Sequence, residues 1–190
     1  MRFIGLRKCL IITDLDCCKP VEKTDKNGRK TTKYEKAPYD VTDDNMVTSN
    51  ASIKSFLKIS SIKDILSDVP VKLSWDDAAI CWKRNNNGNL MIAFQYGKKG
   101  AYQPRSFEDA FFSENKEFIT SNSFSSLDPE CVEKFQEDNN PYELAQNGVN
   151  GKSSLAIEIL LHGNTETNPE NGHWNIPNYI KEGLLWLRKD

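Results

Sequence analysis

The apolar run Cys9-Leu10-Ile11-Ile12 gives way within two residues to a pair of carboxylates, Asp14 and Asp16, and no other feature constrains the chain as much. Four consecutive apolar side chains predict a buried strand at about 8–13, and the acids cannot follow them into a core. In an extended segment residues i and i+2 point the same way, so Asp14 and Asp16 are expected on one side of the strand mouth. Paired oxygen donors of this kind suit a hard divalent cation. Two later segments, Arg105 to Phe111 and Gly151 to Ser154, hold the further acids and the cation that such a site would need.

The rest of the chain alternates strand and helix signals. Residues 19–49 read as a long polar loop, and Lys19 to Lys36 within it form the one basic concentration. That stretch is either a solvated loop or an electrostatic guide for a DNA backbone. Apolar residues three and four apart predict short helices at 51–57 and 62–66. The segment from Ser74 to Lys83 is ambiguous, whereas Leu90 to Tyr96 reads as a second strand after the turn at Asn85 to Asn89. Residues 79–96 are therefore expected as a hairpin. Further helices are predicted from Ser106 and at about 128–137, 153–162 and 177–188, with Pro177 in the favoured first turn.

The helix opening at Ser106 carries two acids. Asp109 completes an S-x-x-D capping box with Ser106, which is a sufficient structural role. Glu108 lies off the apolar stripe of Phe107, Ala110 and Phe111, near the positive end of the helix, and is the preferred ligand, with Asp109 as alternate. Arg105 is placed to bind a phosphate oxygen or to pair with Glu108. Gly148 to Ser153 superficially suggests a P-loop, but that motif needs glycine where Gln146 stands, and no buried strand precedes it. What remains is Lys152 at the entrance of an apolar helix, where the dipole disfavours a cation unless an anion sits beside it.

Composition narrows the classes. The chain has 190 residues, 38% of them hydrophobic, enough for one globular domain with a sizeable core. A net charge of −2 argues against binding nucleic acid through a general positive field, so phosphate contacts would be local. Five cysteines without zinc-ligand spacing are expected as reduced thiols. With no apolar stretch near membrane-spanning length and no secretory signal, a cytoplasmic protein is expected.

Taken in order, five segments resemble the C-terminal part of the OLD-family ATP-dependent endonucleases. They are Leu10 to Asp16, Thr48 to Lys54, Pro104 to Phe111, Lys152 to Ala156 and Trp174 through Leu187. In that family an ABC-type ATPase precedes a TOPRIM nuclease domain. The resemblance implies that Asp14 and Asp16 match the TOPRIM aspartate pair, that Glu108 or Asp109 matches the later acidic ligand, and that Lys152 matches the lysine near the scissile phosphate. It also implies Mg²⁺ or Mn²⁺, a DNA substrate and, for some members, defence against phage. The corresponding chemistry is two-metal phosphodiester hydrolysis.

A TOPRIM domain ordinarily begins with a glutamate on an earlier strand, and residues 1–13 contain no acid. The expectation is thus a single partial TOPRIM-like α/β domain over 1–190, a small central sheet flanked by helices, incomplete at its N-terminal edge, with a helical part at 150–190. An open sheet edge would favour a homodimer or an ABC-type ATPase partner chain. The competing reading is a non-catalytic interaction module, in which Asp14 and Asp16 end a strand and Glu108 simply pairs with Lys152.

Overall fold

The computed structural model describes residues 7–96, 102–163, 166 and 170–189. They form two compact units: Met1–Arg105 together with Asn178–Asp190, and Ser106–Pro177. The first is a mixed α/β unit around a small sheet, as its strand and helix signals predict. The second is helical.

In the first unit β1 (Cys9–Ile12), β5 (Val71–Asp76), β6 (Cys81–Arg84) and β7 (Leu90–Ala93) make a four-stranded sheet in the order β1-β7-β5-β6. The β1–β7 pair is parallel, with Cys9 opposite Leu90 and Ile12 opposite Ala93. In the sheet β7 is central, with the helix Asn178–Arg188 packed against it and Leu90 and Ile92 in the core with residues of the helices Ala51–Leu57 and Ile62–Leu66, and all four of its residues are apolar and buried. The turn at Asn85 to Gly88 therefore does not close the expected 79–96 hairpin. Instead β5 pairs with both β6 and β7, and the hairpin is β5–β6, with Trp75 opposite Trp82.

The expected polar loop at 19–49 also differs. It contains most of a hairpin of β2 (Cys17–Thr24) and β3 (Lys30–Lys36), and the short β4 (Val47–Thr48) pairs with β2 on its other side. Gly28 sits at φ 76°, a left-handed conformation that suits glycine, and the Asp25 carboxylate accepts from the amides of Asn27 and Arg29 at 2.8 Å each. All seven residues of β3 are exposed, so no apolar alternation announced the strand.

Helices α1 (Ala51–Leu57) and α2 (Ile62–Leu66) begin at Asn50 and Ser61, whose side chains accept from the amides of Ile53 and Asp64. Their Ile53, Ile62 and Ile65 enter a core with Leu15, Met46, Val71, Leu73, Leu90, Ile92 and Phe94. Helix α8 (Asn178–Arg188) packs on β1 and β7. The contact is close at Gly183, where an added Cβ would lie 2.9 Å from a methyl of Leu10 and 3.3 Å from the Ala93 Cβ.

The second unit contains α3 (Phe107–Glu114), α4 (Lys116–Ser121), α5 (Pro129–Asp138), α6 (Pro141–Glu143), a π-helical turn at Leu144–Gly148 and α7 (Lys152–His162). Phe111, Phe112, Phe118, Phe135, Leu144, Leu155 and Ile159 form its core. The helical part expected at 150–190 is thus shared out: α7 belongs to this unit and α8 to the sheet unit. No helix among the described residues is long and apolar enough to cross a membrane. None of the five cysteines is in a disulfide.

Candidate active site

The aspartate pair lies just beyond β1, and its geometry is not the extended one expected. Asp16 has φ 52°, in the left-handed region, so side-chain alternation does not carry through the segment. Aspartate tolerates this conformation better than most residues because its short polar side chain bonds locally. Leu15 between the acids is fully buried, while Asp14 and Asp16 are half-buried.

Distant residues fix this turn through its backbone. The Thr13 amide donates to Ala93 O at 3.0 Å, the Leu15 amide to Gln95 Oε1 at 2.7 Å, and the Asp16 amide to Arg105 O at 2.9 Å. On the acceptor side, Asn50 Nδ2 donates to Asp14 O at 2.8 Å and Thr48 Oγ1 to Leu15 O at 2.6 Å. The Ser49 amide donates to Asp16 O at 3.0 Å. A short turn held by so many bonds has little freedom, and such restriction preorganises a binding or catalytic group.

The carboxylates are themselves held. Gln95, at 0% exposure, donates from Nε2 to Asp14 Oδ1 at 2.6 Å and to Tyr179 Oη at 3.1 Å. Its orientation follows from the Leu15 amide, which demands the carbonyl oxygen and so turns the NH₂ towards Asp14. Arg105, itself buried, donates from Nη2 to Asp16 Oδ1 at 3.3 Å and from Nε to Cys17 O at 3.2 Å. The guanidinium expected to meet phosphate or Glu108 thus engages Asp16. Oxygen donors oriented by amide and guanidinium groups fit Mg²⁺ or Mn²⁺ chemically.

Gln95, Thr48 and Tyr179 were not identified as site residues from sequence. The available signal for Gln95 was an amide ending the apolar stretch Leu90 to Phe94.

The remaining candidates belong to the helical unit. Asp109 is fully buried, and its Oδ1 accepts from the Ser106 amide and hydroxyl at 2.7 Å each, completing the capping box. Glu108, in the first turn of α3, accepts from Lys152 Nζ, at the start of α7, at 2.6 Å. Burial pushes the Glu108 carboxyl up, but the Lys152 hydrogen bond, its own backbone amide, the Lys152 charge and the Ser106 hydroxyl outweigh that and hold it below the usual carboxylate range. Lys152 thereby has the anionic neighbour that its position demanded. A cavity of about 310 Å³ opens beside the pair, lined also by Phe107, Ser153, Leu155 and Ile159. Among the described residues no three His, Cys, Asp or Glu side chains are clustered as metal ligands.

No family model matches the chain, and no solved structure does. Over 191 residues the chain is 30% identical to Endonuclease GajA of Bacillus cereus (strain HuB5-5). The alignment takes in 95% of this chain, and the chain spans 24% of that protein's length. A likeness that runs through nearly the whole sequence links the chain to a nuclease family.

Proposed function

We propose that this chain is the TOPRIM-type portion of an OLD-family ATP-dependent endonuclease, cutting DNA in the cytoplasm with Mg²⁺ or Mn²⁺ and serving in defence against phage. The observation that carries the reading is the Asp14-Leu15-Asp16 turn, rigidly bonded within a chain that is 30% identical to an endonuclease over 191 residues. Asp14 and Asp16 would hold the metal, and the family resemblance assigns Glu108 or Asp109 the role of the later acidic ligand. The bound ion would supply Lewis acidity at the scissile phosphate and a water ionised at neutral pH. Gln95 and Arg105 keep the two carboxylates aimed, and Lys152 balances negative charge at phosphorus. An ABC-type ATPase, on the same or a separate chain, and a second copy of this chain are the proposed partners.

The test is cleavage of plasmid DNA with Mg²⁺ or Mn²⁺ by the assembled enzyme. Asp14→Asn and Asp16→Asn should each abolish nicking while leaving the melting temperature within a few degrees of the parent. Undiminished nicking by both variants would remove the aspartates from the chemistry.

One observation favours a second reading, a non-catalytic interaction module: Glu108 is already paired with Lys152, and Asp16 with Arg105. On that reading both pairs are structural, and no divalent ion binds the aspartate turn in calorimetry.

A further inference from the structure

The β2–β3 hairpin contributes little to the core, yet its form is tightly specified. From Lys19 to Lys36 it carries seven cations and three acids, in a chain whose net charge is −2. The strand register determines which cations are neutralised. Lys23 pairs with Glu35 at 2.5 Å and Lys30 with Glu22 at 3.2 Å, while Lys19 reaches Asp43 at 3.5 Å. The third acid, Asp25, is consumed by the turn amides of Asn27 and Arg29. Among the described residues Lys26, Arg29 and Lys33 form no ion pair, and they occupy the tip and the outer strand.

Edge strands often carry lysines simply to discourage strand pairing. That accounts for charge on β3 but not for Lys26 and Arg29, which lie in the turn and guard no edge. Lys33 lies in β3 close to the turn that carries Lys26 and Arg29, so the three cations are gathered at the outer end of the hairpin. The DNA major groove, about 12 Å wide, admits a two-stranded ribbon of this kind. Tyr34, 60% exposed and opposite Pro20, gives the other face an apolar surface for sugar contact.

We infer that the β2–β3 hairpin is a DNA-gripping arm, with Lys26, Arg29 and Lys33 contacting phosphates of duplex DNA independently of sequence. The inference rests on the nuclease reading for its choice of DNA as the polyanion. The arm supplies the local phosphate contacts that an acidic chain needs, and it delivers backbone to the enzyme without taking part in bond cleavage.

The experiment is fluorescence anisotropy of the full chain with a labelled random-sequence DNA duplex, across a series of salt concentrations. The variant combines Lys26→Gln, Arg29→Gln and Lys33→Gln. A control combining Lys54→Gln, Lys58→Asn and Lys63→Gln lowers net charge equally. The arm variant should bind about tenfold or more weakly, and its slope of log affinity against log salt should shrink by about 2.7, three phosphate contacts at about 0.9 each. The control should keep the parental slope. Equal losses in both variants, or an arm variant that binds like the parent, would overturn the arm while leaving the nuclease reading intact. A parent that does not bind DNA would instead defeat the nuclease reading and the arm together. Loss of binding to phosphatidylserine vesicles with DNA binding unchanged would reassign the arm to a membrane surface and refute the inference.

Discussion

Replacing Gln95 tests whether the aspartate turn is built around one buried amide. In Gln95→Ala the Leu15 amide loses its acceptor at a fully buried residue, at a cost of about 1–3 kcal/mol. Asp14 also loses a charge-assisted bond of 2.6 Å, of a class that contributes about 1.5–3 kcal/mol. The two losses share one side chain and will not add fully, so a net destabilisation of about 2–4 kcal/mol is expected. Gln95→Glu is the more discriminating change. One oxygen can still accept from Leu15, but the other faces Asp14 Oδ1, where two ionised carboxylates cannot coexist. The pair should retain a proton, raising the folded pKa of Glu at this position above its unfolded value of about 4.3. The protonated acid then donates to Asp14 as the amide does, so stability is fully present below about pH 4.3 and lost as pH rises through the folded pKa. The loss is about 1.4 kcal/mol per pH unit between those two values. Urea denaturation followed by tryptophan fluorescence reads it through Trp75 and Trp82, which stack edge-on in the same unit at 5.5 Å. A Gln95→Ala midpoint equivalent to less than about 0.5 kcal/mol, or a Gln95→Glu penalty constant with pH, would refute the reasoning.

Two further variants concern the helical unit. Lys152→Ala should reduce DNA cleavage far more than DNA binding; equal losses, measured by nicking and anisotropy, would make Lys152 a binding residue only. Because Glu108 is held below the usual range, its pairing stabilises the fold above the ordinary carboxylate pKa and is lost as pH falls. Removing the 72% exposed Lys152 should cost under about 1 kcal/mol at pH 7 and flatten that dependence. Glu158 lies at about 2 rather than near 4.5, mainly through the hydroxyls of Ser125 and Ser126 and then their amides. Its contribution is present above pH 4.5 and lost as pH falls towards 2, so Glu158→Gln should shift the acid unfolding midpoint seen by circular dichroism upward. An unchanged midpoint would show that the Ser125–Ser126 turn does not depend on this carboxylate.

The parts of the molecule legible in the sequence are those fixed by neighbours in the chain. Helices α1 and α2 follow from apolar spacing and from Asn50 and Ser61, whose caps act within three residues. The Ser106–Asp109 box is equally local, and the strand at β1 follows from its apolar run. The aspartate turn is different. Asp16 is left-handed because Arg105 and Ser49, 89 and 33 residues away, bond to it, and no short-range pattern encodes those partners. The same applies to β7, whose place between β1 and β5 is decided by burial on both faces rather than by the adjacent asparagine turn. The polar β2–β3 hairpin was invisible to hydrophobic periodicity because a single Tyr34 among polar residues gives its outer strand no apolar alternation.

The order of elements along the chain has a consequence for biosynthesis. Helix α8 covers β1 and β7, and its Tyr179 hydroxyl meets the amide that supports Asp14, yet residues 178–188 leave the ribosome after the whole segment Ser106–Pro177. The helical unit can therefore finish folding while the sheet still awaits its last helix, and a polypeptide released early at Pro177 would have strands without their cover. The carboxylate turn thus acquires its support from Tyr179 only after the helical segment has been made.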